Sequence, residues 1–185
     1  MNGYRNGSGE LDGPAHSSNS NGTSSGLQWK LGLLHSHGRY LTAETFGFKI
    51  NATGTALRKK QLWTLEYDSS ASTHDDTVYI RSHLGRYLSG DRRGNAACSS
   101  EELTDAEKFS VECHPDGSGR WAIRNRSTGF YFGGNDERLV CHEKQPGPDD
   151  WWTPHFAFPP QVCNFAHLFL VHSPWKHYNY RRIMP

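Results

Sequence analysis

The feature that most constrains this chain is a threefold internal repeat. The segments "LGLLHSHGRYLTAETFGFKINATGTALRKKQLWTLEY", "VYIRSHLGRYLSGDRRGNAACSSEELTDAEKFSVECH" and "WAIRNRSTGFYFGGNDERLVCHEKQPGPDDWWTPHFA" superimpose. Each opens on an alternating strand (Leu31/Leu33, Val78/Ile80, Trp121/Ile123), turns near a glycine, and enters a second strand led by Tyr40, Tyr87 or Tyr131. A third short strand is predicted at Lys49–Ala52, Ala96–Ser99 and Leu139–His142. The tyrosines recur 47 and 44 residues apart, and the closing aromatics Trp63, Phe109 and Trp152 recur 46 and 43 apart. Two independent markers with one spacing identify a supersecondary unit that buries its apolar face only by stacking on its neighbours. A propeller normally needs at least about four blades to close. Three units close a β-trefoil, a six-stranded barrel with three hairpins. The predicted fold class is therefore all-β, a single β-trefoil of three four-strand repeats, with the tyrosines, the closing aromatics, Leu62 and Leu65 in its core.

Outside the repeats the pattern changes. Residues 1–26, including "HSSNSNGTSSG", offer almost nothing to bury, and ordering them costs entropy without return, so a disordered N-terminal tail is expected. The trefoil is placed at 27–160. Residues 161–185 hold apolar and aromatic side chains, among them Trp175, Tyr178 and Tyr180, but no fourth repeat, and read as an atypical C-terminal tail. No window approaches the roughly 18 consecutive apolar residues of a membrane helix, and "MNGYRNGSGELDG" lacks the apolar core of a secretion signal. The expectation is a soluble, cytoplasmic chain without membrane insertion, whose four cysteines are free thiols and whose N-x-[ST] matches at Asn6, Asn21, Asn51 and Asn125 are polar turns.

Eleven histidines invite a search for metal and catalytic sites. "HSH" sets His35 and His37 at a strand end, and Cys113/His114 and Cys141/His142 are adjacent pairs, but nothing follows C-x-x-C or H-x3-5-H spacing. His35, His37 and His83 are read as polar residues of hairpin turns. No nucleophile elbow, P-loop or dinucleotide fingerprint is present. The expectation is no metal, no cofactor, no catalytic residue and no small-molecule substrate, hence not an enzyme. A carbohydrate-binding trefoil is the competing class, because sugar-binding trefoils often carry Q-x-W in each lobe. Here "QLW" at Gln61–Trp63 is unrepeated, and "EKF" and "DDW" stand at its other two places.

The cationic residues remain. Arg58, Lys59 and Lys60 precede the apolar run to Trp63, Arg39 and Arg86 sit at equivalent turns, and Arg92 and Arg93 follow the second. With a net charge of only +1 and no exposed aromatics interleaved with these cations, nucleic acid is not the expected partner. Extended side chains alternate, so at least two of the three cations at 58–60 face solvent. The second and third lobes carry "TDAE" and "GPDD" where the first has its cations, so this run breaks the pseudo-symmetry of the fold.

The stretches "RYLTAETFGFKINATGTALRKKQLWTLE", "IRSHLGRYLSGDRRGN", "GRWAIRNRSTGFYFGGNDERLVC" and "PPQV" closely resemble the first of the four β-trefoils of the fascins, a likeness covering about residues 27 to 162. The resemblance implies a non-enzymatic, cytoplasmic protein that binds and bundles actin filaments in filopodia and related protrusions of migrating cells. Carried over by position, the family's basic hairpin lysine falls on Arg39 and its Lys-Lys-Lys run on Arg58, Lys59 and Lys60, which would meet the acidic surface of actin. The family's regulatory serine falls on Ala56, which takes no phosphate, and Thr55 is the possible substitute. A single trefoil is expected to bind filaments weakly and to bundle only if it dimerises, because a cross-link needs two separated sites.

Overall fold

The computed structural model describes Met1 and residues 28–68 and 76–157. Apart from Met1, the two expected tails, including Cys163 and the aromatic residues after it, lie outside the described residues. Each repeat supplies four strands: β1 (Gln28–Leu34), β2 (Tyr40–Ala43), β3 (Ile50–Gly54) and β4 (Trp63–Tyr67) in the first lobe. The second has β5 (Val78–Ser82), β6 (Tyr87–Gly90), β7 (Ala96–Ser100) and β8 (Phe109–Cys113), and the third β9 (Trp121–Asn125), β10 (Tyr131–Gly134), β11 (Leu139–Glu143) and β12 (Trp151–Phe156). A single 3₁₀ turn precedes the last strand of every lobe, at Lys59–Gln61, Asp105–Glu107 and Pro148–Asp150.

Pairing closes the sheet on itself. β1 pairs with β4 and β12, β4 with β5, β5 with β8, β8 with β9, and β9 with β12, all antiparallel. This ring of six is the trefoil barrel, and closure removes exposed sheet edges. The hairpins β2–β3, β6–β7 and β10–β11 branch from it and meet one another. Their junctions are stitched by backbone bonds: Ala52 N–H donates to the Asp136 carbonyl at 2.6 Å, and Cys141 N–H to Gly94 at 2.9 Å.

The core is built from the residues that repeat. Trp63, Phe109 and Trp152 are buried, as are Leu31, Leu33, Val78, Ile80, Trp121 and Ile123. The Trp63 indole donates to the Leu41 carbonyl at 3.0 Å, and the Trp152 indole to Phe132 at 3.0 Å, so two lobes satisfy a buried N–H identically. The expectation for the tyrosines holds for Tyr87 and Tyr131, which are buried, and fails for Tyr40. Tyr40 is only half-buried, and its hydroxyl meets His155; those of Tyr87 and Tyr131 reach Glu66 and Glu112. The fully buried residue is the next one in each lobe, Leu41, Leu88 or Phe132, because strand alternation turns it to the opposite face. Leu62 is likewise half-buried between the core residues Gln61 and Trp63.

The residue two before each closing aromatic fastens the 3₁₀ turn. Gln61 Oε1 accepts from Arg58 N–H, Glu107 from Thr104 N–H, and Asp150 from Gly147 N–H, at 3.2, 2.9 and 2.8 Å. Asp150 is the shortest of these side chains, and its turn lies close to the hairpin: a Cβ on Gly133 would stand 2.7 Å from the Asp150 Cα. Among the described residues no helix is long and apolar enough to cross a membrane.

Candidate functional site

The 3₁₀ turn explains how three adjacent cations are all exposed. A strand would alternate them, but the bond from Arg58 N–H to Gln61 folds the segment tightly, and Arg58, Lys59 and Lys60 are all exposed. The same turn in the second lobe carries Asp105, and in the third Asp149. The reversal of charge is therefore a property of one lobe on a backbone shared by all three.

Neighbouring elements frame the cations. Lys60 Nζ lies 2.7 Å from Glu44 Oε2, on the loop between β2 and β3, and this hydrogen bond, with another from Asn51, holds the Glu44 carboxyl below its ordinary range. Among the described residues Lys59 has no carboxylate within ion-pair distance. His83, on the turn between β5 and β6, is depressed first by burial and then by Lys59 and Lys60, so the second lobe's first turn sits within the field of the first lobe's cations. Arg86, on that same turn, places its guanidinium 4.8 Å from the Phe48 ring centroid and pairs with Glu101 at 2.7 Å.

The β2–β3 loop adds two aromatics that the sequence reading did not assign to a site. Phe46 is 89% exposed at its tip, and Phe48 is partly exposed with φ at 49°, a left-handed conformation unusual for a bulky residue. Aromatic residues are enriched at protein-binding surfaces relative to the rest of a protein's exterior. The signal was available in "TFGFK", where Gly47 marks a turn and leaves both phenylalanines beyond the end of β2.

Arg39 is not brought together with Arg58, Lys59 and Lys60. Its turn, between β1 and β2, is bonded to the third lobe through Ser36 and His37, whereas the triplet lies at the seam with the second. Thr55 and Ala56 are exposed on the loop leading to Arg58.

Two polar positions differ from their expected character. His35 was expected at a solvated turn, but its side chain is fully buried and its Nε2–H donates to the Asp149 carbonyl at 2.9 Å. The equivalent residue Asn125, expected as a polar turn, is also fully buried and donates through Nδ2 to the Ala106 carbonyl at 2.8 Å. Each is a bolt between one lobe's first turn and the preceding lobe's 3₁₀ turn. Cys98, Cys113 and Cys141 are free thiols, and burial pushes Cys98 up to about 11 and Cys141 up to about 12, which keeps both protonated and unreactive. The single Q-x-W glutamine is committed internally, since its amide donates to Thr42 Oγ1 at 3.0 Å while its carbonyl holds Arg58 N–H.

A fascin-domain family model matches residues 37–154. The chain is 40% identical over 151 residues to Fascin-2 of Mus musculus, a match covering 82% of this chain and 29% of that protein. It is 44% identical over 119 residues to Fascin of Strongylocentrotus purpuratus, covering 63% and 23% respectively. The chain thus spans under a third of the length of these relatives. Among solved structures, SeviL bound to asialo-GM1 saccharide aligns with a TM-score of 0.62 at 16% identity, over 71% of this chain and 100% of that one. The designed threefold-symmetric protein ThreeFoil aligns at 0.57 and 17% identity, over 68% and 97%. These two likenesses establish the β-trefoil fold and nothing about ligands.

Proposed function

The chain belongs to the fascin family, and from that premise we propose that it is an actin-filament-binding β-trefoil of a filament-bundling protein, non-enzymatic and acting in the cytoplasm at actin-rich protrusions such as the filopodia of migrating cells. The observation that carries this reading is the local reversal of charge: Arg58, Lys59 and Lys60 project from a turn whose counterparts bear Asp105 and Asp149. A fold accounts for positions that repeat, and a partner accounts better for those that do not. Complementary charge against an acidic filament surface raises the encounter rate and sets orientation, and it weakens with salt. Phe46, two residues from the Lys60 partner Glu44, supplies an exposed apolar ring. Arg39 contributes from a separate seam, so filament contact extends beyond the triplet. Thr55 is the position at which phosphate, adding about two negative charges, would oppose the basic turn.

Presented alone, this trefoil offers weak binding and little bundling unless it dimerises, because a cross-link requires two sites held apart. The carbohydrate-binding alternative is disfavoured by the internal commitment of Gln61. Co-sedimentation with filaments at low and high salt tests the proposal: pelleting that declines with salt supports it, and residence in the supernatant at every salt concentration contradicts it. Binding on a glycan array would revive the alternative.

A further inference from the structure

His35 and His37 are separated by one residue, and the fold places Asp136 of the β10–β11 turn against them, 99 residues along the chain from His37. The tautomer of His35 is fixed. A carbonyl can only accept, so the 2.9 Å contact with Asp149 O puts a proton on Nε2, and Nδ1 is the ring nitrogen left to accept, as the direction of His37 N–H requires. The equivalent Asn125 makes the same bond through its amide nitrogen, which can only donate. His35 Nδ1 is otherwise met by long contacts from His37 N–H at 3.4 Å and Ser36 Oγ at 3.5 Å, and it faces Asp136 Oδ1 at 3.7 Å. His37 Nδ1 lies 3.1 Å from that same oxygen. All three donors fall within 4.8 Å of one another.

We propose that His35, His37 and Asp136 form a binding site for a first-row divalent metal ion, of the borderline class typified by zinc, at the seam between the first and third lobes. A tetrahedral ion with N and O ligands at about 2.0–2.1 Å needs donors roughly 3.4 Å apart, and the spacings here bracket that value. The support around the ligands matches the requirement that a metal-bound imidazole give its other N–H to an acceptor. Both rings do so on one residue: His35 Nε2 on the Asp149 carbonyl, and His37 Nε2 on the Asp149 carboxylate at 3.3 Å. Asp136 is positioned by its own backbone, whose carbonyl accepts from Ala52 N–H at 2.6 Å. His37 and Asp136 are 47% and 41% exposed, which gives the ion an entry path and leaves its fourth position to water. An ion there would clamp the first lobe to the last. Imidazole and carboxylate favour zinc, copper or nickel over magnesium, which prefers an all-oxygen octahedron.

The test is isothermal titration of the full chain with Zn²⁺ and with Mg²⁺, paired with thermal unfolding in each. Saturable one-to-one zinc binding, with a zinc-dependent rise in melting temperature that magnesium does not reproduce, is expected. His37→Ala and Asp136→Asn alter exposed side chains, leave the fold intact and abolish both effects. Asp149→Asn retains the carbonyl and lowers zinc affinity about 10-fold, while the control His142→Ala leaves it unchanged. Absence of zinc binding by the unaltered chain, or equal affinity in His37→Ala and Asp136→Asn, overturns the proposal.

Discussion

Lys60 Nζ stands 2.7 Å from Glu44 Oε2, so one of the three cations of the basic turn is shared with a carboxylate on the adjoining loop. Both partners are partly solvated, and such a pair contributes about 0–1 kcal/mol to stability. On the proposed function, its effect on binding is expected to exceed its effect on folding. Glu44→Gln is expected to leave the melting temperature nearly unchanged and to raise filament affinity a few-fold at low salt, with the gain lost at high salt. Lys59→Ala should weaken binding more than Lys60→Ala, because Lys59 has no such partner among the described residues. Co-sedimentation isotherms at two ionic strengths check both orderings.

His83 reports on the same surface through its titration. Burial, Lys59 and Lys60 depress it below the ordinary value of 6.5, and Glu44 opposes them. As pH falls through 6.5 the unfolded chain takes up this proton before the folded chain does, so the contribution of His83 to stability falls with acidification until the folded imidazole protonates too. Lys59→Glu/Lys60→Glu should move the His83 midpoint upward and Glu44→Gln should move it further down, as followed by NMR of the imidazole carbon-bound protons. No change in the midpoint on reversing both lysines would contradict the placement of His83 in their field.

The 3₁₀ turns make a stability prediction that differs by lobe. Gln61→Ala removes the acceptor of Arg58 N–H and the donor to Thr42, and should cost about 1–2 kcal/mol, of the order of a lost helix cap. Gly133→Ala should cost more, because its Cβ would be driven to 1.8 Å from Asp150 Oδ1 and 2.7 Å from Asp150 Cα, which lies on the backbone and cannot swing aside. Chemical denaturation should show both as shifts in midpoint at constant slope.

Thr55→Glu places one negative charge three residues before Arg58 on an exposed loop. The expected outcome is reduced filament affinity at low salt with unchanged thermal stability. Treatment of the unaltered chain with a Ser/Thr kinase that modifies Thr55 should reduce affinity further, since phosphate carries about two charges.

The sequence was most legible where it repeats. Trp63, Phe109 and Trp152 are buried as their spacing required, since one barrel core forces one period on all three lobes. What it left unreadable depends on contacts between lobes. His35 looked like a turn residue because local sequence does not contain Asp149, which buries it from 114 residues away. The tyrosines repeat as faithfully as the tryptophans yet lie with their hydroxyls on carboxylates or histidine, so periodicity identified equivalent positions without stating their depth. The basic run was visible as charge, but its common exposure comes from the turn that Gln61 closes, and its separation from Arg39 comes from the order of the lobes.

The central claim is that a local basic face, and not overall charge, engages the filament. It is tested most directly by comparing co-sedimentation of two variants with equal change in net charge: Lys59→Glu/Lys60→Glu on the basic turn, and Arg92→Glu/Arg93→Glu on the exposed turn between β6 and β7. With circular dichroism confirming that both are folded, the account predicts that the lysine pair loses filament binding at low salt while the arginine pair retains most of it. Equal loss in the two variants, or retention by the lysine pair, would contradict it.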